Sequence, residues 1–403
     1  MSVNTLNFEQ VATVLTSIVK QATNQTVLTP TDTGSFTSVA QIALRADRDS
    51  VMNAISNVIA RTLFAIRPYS AKMEGLMMDT FRWGAMMRKL SIADSDWADD
   101  PAYEWPALFD STQTPPTGNG QSIDPWKIKK PDIVQTNFYG ASVYFDEMSI
   151  FEDQIETAFT GPEQLGSFLS LVMTNLSNRL ELSNEGLRRG LVANAIASVI
   201  AENQTDRVVH LLTEYNTATG QSFTATSIYE PANFPAFMKW VYSRVAQISD
   251  LFPEMSTKYQ TVIAGKPVLR HTPYDAQRIY LYAPTRHDID ARVLADTFHD
   301  SYLTYADVES VNYWQSIATP DAIKITPAYT NTSGVVTSPA QPVEQDSIFG
   351  IMFDRDAMGM TLLDRRVLST PLNTRGLYRN LHVHCKQRVV FDNTEKVVAL
   401  LLD

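Results

Sequence analysis

The chain has 403 residues, of which 44% are hydrophobic and 19% charged, and its formal net charge at pH 7 is −11. This composition is typical of a globular protein rather than a disordered or membrane-spanning one, and the length favours two or three substructures. The acidic balance argues against broad binding to nucleic acid or anionic membranes, because such surfaces need an excess of Lys and Arg. The acidic charge is nevertheless compatible with a protein that encloses nucleic acid without gripping it.

Cysteine content and hydropathy argue against a disulfide-rich, secreted or membrane-spanning protein. Cys385 is the only cysteine of the sequence, which excludes an internal disulfide framework and a multi-cysteine zinc module. The start MSVNTLNFEQ has neither the basic nor the apolar region of a signal peptide. No apolar run reaches the roughly 18 residues that predict a transmembrane helix. We therefore expect a protein made in a reducing cytoplasm.

The N-terminal part of the chain predicts helices separated by a polar arm. Apolar side chains at helical spacing predict a short amphipathic helix over residues 7–22: Phe8, Val11, Leu15, Ile18 and Val19. The Thr-rich residues 24–38 predict an extended arm. A second helix is expected to begin at Asp49 or Ser50 and to end at Pro68.

The composition changes sharply after residues 83–92, which predict a strand or a short helix. The stretch SDWADDPAYEWPALFDSTQTPPTGNGQSIDPW contains five prolines, two glycines and three tryptophans. That many prolines exclude a central strand or a long helix, and so many aromatic side chains are unusual in a solvated linker. We interpret this stretch as a long projecting loop that becomes ordered when it packs on another surface. The alternative is a disordered linker.

A strand over residues 133–145 is predicted to lead into an unusually long helix from Pro162 to about Glu202. The apolar positions recur at steps of three and four: Leu165, Phe168, Leu169, Val172, Leu176, Leu180, Leu187, Leu191, Ala195 and Val199. Such a helix is about 60 Å long at ~1.5 Å per residue. Gly186 and Gly190 are candidate positions for a bend.

The second half of the chain predicts mixed short elements. Helices are predicted over 234–248 and 291–298, a loop over 329–344, and strands over 260–268, 278–283, 347–354, 359–363, 377–390 and 396–402. The last two strands are joined by a turn at Asp392-Asn393.

The search for catalytic motifs fails. The sequence has no phosphate-binding loop, no Gly-x-Ser-x-Gly elbow and no His-Glu-x-x-His. His382 and His384 share one face of their strand and Cys385 the other, but a metal would need further ligands. Asp288 and Asp290 are more typical of helix capping than of catalysis. We assign no catalytic residue, metal or cofactor.

Two segments carry a family resemblance that covers essentially the whole chain: KKPDIVQTNFYGASVYFDEMSIFEDQIETAF with the long helix after it, and RVVFDNTEKVVALLLD. In this order of parts the chain resembles the major capsid proteins of tailed double-stranded-DNA bacteriophages, the Hong Kong ninety-seven type. The compact size suggests a small, short-tailed phage. The resemblance implies an α+β fold with an N-terminal arm, an extended loop, a peripheral domain with a long spine helix, and an axial domain.

The resemblance also implies a division of the chain and a set of contact residues. The parts would be the N-terminal arm and helices (1–70), the extended loop (71–132), the peripheral domain with its spine helix (133–204), the axial domain (205–345) and C-terminal strands that complete both domains (346–403). The candidates for contact between subunits are Phe8, Leu15, Trp97, Tyr103, Trp105, Phe109, Trp126, Lys129 and Lys130.

The function that the resemblance implies is that of a non-enzymatic structural subunit. It would assemble as pentamers and hexamers into an icosahedral head that encloses double-stranded DNA without sequence-specific binding, in the host bacterial cytoplasm and without a membrane. A separate scaffolding protein and a portal are implied as partners. The alternatives are an encapsulin-like nanocompartment shell, and a carbohydrate-binding or metal-dependent enzyme domain built around the tryptophans and residues 286–290.

Overall fold

The structure is a computed structural model, and it describes residues 8–23, 27, 29–45, 50, 51, 54, 55, 73–77, 86–93, 132–139, 141–204, 206–263, 265–292 and 307–403. None of the helices within these ranges is both long enough and apolar enough to cross a membrane. The described chain is a mixture of helices and antiparallel and parallel strands.

The α-helices are α1 (Phe8–Thr23), α2 (Thr33–Arg45), α3 (Glu152–Ala158), α4 (Pro162–Glu202), α5 (Leu211–Thr219), α6 (Phe234–Leu251) and α7 (Ala283–Arg292). Short 3₁₀ turns lie at Glu74–Leu76, Ser227–Tyr229 and Tyr274–Ala276. Ser50, Val51, Ala54 and Ile55 are also helical, where the second helix was predicted; the rest of that prediction lies outside the described residues.

The strands are β1 (Met86–Ile92), β2 (Ile133–Tyr139), β3 (Ser142–Phe151), β4 (Val208–His210), β5 (Gln277–Tyr282), β6 (Asp307–Val311), β7 (Ile323–Ile325), β8 (Tyr329–Thr330), β9 (Val336–Thr337), β10 (Val343–Gln345), β11 (Ile348–Asp354), β12 (Met358–Ser369), β13 (Tyr378–Phe391) and β14 (Val397–Leu401).

Two sheets organise the fold. A mixed five-stranded sheet has the order β4-β14-β11-β5-β6, in which β14 is parallel to β4, β5 is parallel to β6, and β11 is antiparallel to both neighbours. An antiparallel three-stranded sheet has the order β12-β13-β3. The pairs β1-β2, β7-β10 and β8-β9 form separate two-stranded ladders.

The predicted long helix is confirmed as α4, which has 41 residues. Pro162 occupies its first turn, where a missing N–H costs nothing, and Asn203 ends it in the left-handed conformation at φ 50°. The N-terminal half packs into one core with α1, α2, β3 and β13, whereas the C-terminal half packs into another against the five-stranded sheet. The helix therefore connects the two sheets of the molecule.

The five-stranded sheet is covered on both faces, by α4 on one and by α5 and α6 on the other. All residues of β11 and β14 are buried. Continuous apolar runs such as VVALL are the pattern expected for strands that have no solvent face. This explains why the C-terminal strands were readable from sequence.

Three predicted elements differ in the structure. The strand predicted over 133–145 is two strands in different sheets, β2 and β3. The arm predicted over 24–38 becomes helical at Thr33, because the Asp32 carboxylate accepts the Ser35 N–H (2.7 Å) and caps α2. The strand predicted over 260–268 is absent from the described residues there, since Gly265 has φ +66° and Pro267 has no N–H to donate to a ladder.

Two other predictions agree with the structure in part. α7 runs from Ala283 to Arg292 and so includes the first two residues of the helix predicted over 291–298; the rest of that prediction lies outside the described residues. The loop predicted over 329–344 contains the small β8-β9 hairpin, whose turn includes Gly334 at φ +79°.

Candidate assembly site

The hairpin of β1 and β2 projects one apolar face into solvent. The two strands pair antiparallel, with Leu90 opposite Gln135 and Ile92 opposite Ile133. Leu90, Ile92 and Ile133 are 62%, 67% and 58% exposed. Three large apolar side chains on one strand face are a patch that favours contact with another surface.

The opposite face of the hairpin is attached to the body by charged groups. The Lys89 ammonium contacts the Asp392 carboxylate at 2.6 Å and also the Glu395 carboxylate. Arg270 donates to the Ser91 hydroxyl at 2.7 Å and lies 3.3 Å from Glu395. These contacts set the direction in which the hairpin leaves the body, because they join β1 to the turn between β13 and β14.

That turn, residues 392–396 (the DNTEK turn), is polar and yet fully inside the molecule. Its five residues are at most 7% exposed. The Asp392 carboxylate closes the turn by accepting the Thr394 N–H (3.0 Å) and hydroxyl (2.6 Å). Sequence reasoning identified only a turn here; the burial of so many polar groups depends on partners far away in the chain.

Lys396 of the DNTEK turn caps the C-terminus of α6. Its ammonium, fully buried, donates to the carbonyls of Leu251 (3.3 Å), Phe252 (2.9 Å) and Glu254 (2.7 Å) and to the Ser256 hydroxyl (3.3 Å). A cation at a helix C-terminus satisfies carbonyls that have no partner within the helix. Burial nevertheless lowers the pKa of Lys396 from 10.5 to about 8.

This lowered pKa predicts a pH dependence of stability. Between pH 8 and 10.5 the unfolded chain holds a proton on Lys396 that the folded chain has lost, so stability rises with pH in that window. Relative to a Lys396→Met variant, which does not titrate there, we expect the wild type to gain about 1 to 2 kcal/mol between pH 8 and pH 9.5. Urea unfolding of both proteins at the two pH values measures this; a constant difference would contradict it.

A second buried network joins the end of α4 to the DNTEK turn. Arg207, with no exposed surface, pairs with the Glu202 carboxylate and donates to the Thr261 hydroxyl at 2.6 Å. The Asn393 amide donates to Glu202 at 2.7 Å and to the Thr330 carbonyl. Burial lowers the pKa of Arg207, while Glu202 and Asp206 act in the opposite direction. One turn thus ties β1, α4 and α6 together.

The middle of α4 carries a polar belt between its two apolar halves. Arg189 contacts Glu185 through two nitrogens, at 2.6 and 2.9 Å, and both residues are buried. The guanidinium lies 3.6 Å above the ring of Tyr313 and donates to its carbonyl. Because the Arg189 guanidinium is paired with Glu185 on the helix and bonded to Tyr313, these contacts fix the position of α4 relative to the loop that follows β6.

The predicted placement of the strand histidines is confirmed. His382 and His384 both lie against the ring of Phe145, with centroids 5.0 and 5.1 Å away, on the outer face of the three-stranded sheet. Cys385 faces inward and is fully buried beside Tyr144. Burial raises the pKa of the Cys385 thiol, which favours its unreactive protonated form. Among the described residues no group of three His, Cys, Asp or Glu side chains is arranged to hold a metal.

The structure describes two of the nine candidate contact residues. Leu15 is completely buried in the core of its own chain, and Phe8 is half-buried with its ring 6.5 Å from that of Phe36. Outside the described residues lie the other seven: Trp97, Tyr103, Trp105, Phe109, Trp126, Lys129 and Lys130. The residues around Asp288 and Asp290 lie within α7 rather than at its beginning.

Comparison with protein families decides the class of this molecule. A family model described as Phi29-like phage major capsid protein matches residues 15–401. The chain belongs to this family. The resemblance to tailed-phage major capsid proteins drawn from the sequence is thereby confirmed, and the molecule is a structural subunit of a phage capsid, not an enzyme. As a capsid protein it assembles with copies of itself into a shell.

Solved capsid structures share the fold of this capsid subunit. A chain in the capsid structure of Staphylococcus phage Andhra is 11% identical, with a TM-score of 0.51 over 84% of this chain and 86% of that one. A chain in the structure of head fiber and inner core protein gp22 of native bacteriophage P68 is 9% identical, with a TM-score of 0.50 over 83% and 85%. No protein with a curated description matches the capsid subunit.

Proposed function

We propose that this capsid subunit forms pentamers and hexamers of an icosahedral head, and that the hairpin of β1 and β2 is the stem of an extended loop that contacts a neighbouring subunit. The observation that carries the proposal is the hairpin itself. Its strands pair antiparallel, and the Ala93 N–H donates to the Asp132 carbonyl at 2.8 Å, so the two residues that flank positions 94–131 lie next to each other. Its outer face exposes Leu90, Ile92 and Ile133, while its inner face is held by Lys89.

The proposed division of the chain is the one that the family resemblance implies. Residues 71–132 form the extended loop, 133–204 the peripheral domain around the spine helix α4, 205–345 the axial domain, and 346–403 the strands that complete both. Residues 1–70 form the N-terminal arm and helices. If residues 94–130 form a hairpin with about 18 residues on each side, its length at ~3.3 Å per residue is about 60 Å, enough to cross a neighbouring subunit.

The proposed partners are double-stranded DNA, a separate scaffolding protein and a portal, with assembly in the host bacterial cytoplasm. The net charge of −11 supports enclosure of DNA without sequence-specific binding, because a surface that grips phosphates needs an excess of Lys and Arg. An acidic inner wall leaves packaged DNA free to slide.

Replacement of Trp105 by alanine tests the extended loop. If residues 94–131 contact a neighbour, Trp105→Ala should reduce the assembled fraction severalfold, because a large aromatic anchor is removed from an interface. Its unfolding curve should match that of the wild type, and Trp105→Phe, which keeps an aromatic ring, should assemble better than Trp105→Ala. Sedimentation and circular dichroism measure the two properties. Loss of folding in Trp105→Ala would place the side chain in a core and refute the assignment.

A further inference from the structure

The outer face of the three-stranded sheet exposes apolar side chains at both of its edges. On the edge strand β3, Val143, Phe145 and Phe151 are 61%, 50% and 48% exposed. On the other edge strand, β12, Leu368 is 54% exposed, and Leu377 at the tip of the β12-β13 hairpin is 52% exposed. Within the described residues no strand pairs with the outer edge of β3, nor with β12 beyond Asp364. Uncovered apolar edges of this kind are sites of strand association.

The two edges also differ in charge. Residues 141–178, which include β3 and α3, contain six acidic residues and no Lys or Arg. Residues 365–391, which include the last five residues of β12 and all of β13, contain six Lys or Arg and no Asp or Glu, although Arg379 and Arg388 of β13 are buried. On the outer face this places Glu147, 61% exposed, on β3, and Arg366, 71% exposed, on β12.

Within their own subunit, Glu147 and Arg366 have only weak partners, so both charges are available for contact with another molecule. Arg366 pairs with Asp364 of its own strand at 2.8 Å, but this pair is exposed, and such pairs contribute little. Glu147 lies 3.9 Å from His382, outside hydrogen-bonding distance. Within one subunit, Glu147 and Arg366 are separated by β13, and at ~4.8 Å between strands their backbones are about 10 Å apart. In ~0.15 M salt, where the Debye length is about 8 Å, exposed charges at that distance are largely screened from each other.

We infer that the β3 edge of one subunit docks against the β12 edge of a second copy of this chain, with Glu147 facing Arg366 across the contact. The opposite charge of the two edges favours a second copy as the occupant, since each subunit carries both halves of the pair. Two different patches in contact make a heterologous interface, which forms a ring when the rotation between successive copies closes. The inference rests on the proposed shell function and assigns to it a second interface, distinct from the extended loop.

Charge reversal tests the contact on the full chain. Glu147→Lys and Arg366→Glu should each lower the assembled fraction at least threefold, measured by sedimentation and negative-stain microscopy in ~0.15 M salt, where the Debye length is about 8 Å. The double variant, which restores opposite charges, should recover most of the wild-type assembly. The recovery is intermolecular, because the two positions are screened from each other within one subunit. Arg355→Glu, which reverses a 58% exposed charge at the turn before β12, is the matched control and should assemble as the wild type does.

Each other outcome overturns the inference. Single variants that assemble normally would show that the edges do not meet. Two defective single variants without recovery in the double variant, or a defect in Glu147→Lys alone, would assign the acidic edge to a different surface or protein. If Arg355→Glu lowered the assembled fraction as much as the two edge variants do, the loss of assembly would come from the change in net charge rather than from a specific contact. All of these require that the wild type assembles; a wild type that remains monomeric even when a scaffolding protein is supplied would instead refute the proposed function.

Discussion

Replacement of Arg207 by methionine is expected to lower the free energy of unfolding of the subunit by about 3 to 5 kcal/mol. The methionine fills most of the volume but removes the partner of the Glu202 carboxylate, which is 5% exposed. A carboxylate left buried without its cation costs far more than an exposed pair contributes. The network also loses the bond to Thr261. Urea unfolding of the unassembled subunit, followed by circular dichroism, measures the loss.

A double variant separates the pair from the rest of the network. Arg207→Met combined with Glu202→Gln removes both charges, and the amide can still accept from Asn393, so the double variant should be more stable than Arg207→Met alone. A loss below about 1 kcal/mol in Arg207→Met would contradict the buried network, since that is the range of an exposed pair.

Replacement of Lys89 by methionine is expected to abolish most assembly while the subunit remains folded. Lys89 holds the hairpin of β1 and β2 to Asp392 and Glu395 of the DNTEK turn, and without it the direction of the hairpin is no longer set. We expect the assembled fraction to fall at least tenfold and the free energy of unfolding to fall by about 1 to 3 kcal/mol, the cost of removing one charged donor from two buried carboxylates. Sedimentation and urea unfolding measure the two effects.

Lys266→Met is the matched control for Lys89→Met. Lys266 also forms an ion pair at the base of the hairpin, 3.0 Å from Asp132, but the two side chains are 37% and 70% exposed. An exposed pair contributes about 0 to 1 kcal/mol, so this variant should assemble nearly as the wild type does. Normal assembly of Lys89→Met, or equal defects in both variants, would contradict the anchoring role of the DNTEK turn.

The elements with strong apolar patterns were predictable from sequence. The stripe from Leu165 to Val199 defines α4, and the uninterrupted apolar run of β14 defines a strand buried on both faces. Errors arose where local backbone chemistry decides the structure. The Asp32 cap starts α2 inside a Thr-rich stretch, and Gly265 interrupts a β-rich one.

The candidate site was less predictable, for a physical reason. The resemblance pointed to the extended loop and its aromatic residues, and those contacts remain predictions. The anchor of the loop was missed, because Lys89 and Asp392 are separated by 303 positions in the chain. A buried charge is stable only with its partner, and neither member of such a pair shows from its own neighbours that it will be buried. Lys396 is a similar case, since its partners are carbonyls at the end of α6.

Negative-stain electron microscopy of the purified chain, with sedimentation of the same sample, is the sharpest test of the shell function. We expect closed shells, or tubes and sheets built from five- and six-membered rings, because heterologous contacts form rings when the rotation between copies closes. A folded protein that remains a homogeneous monomer at every concentration, with neither rings nor pelletable particles even when its scaffolding protein is supplied, would contradict the shell function.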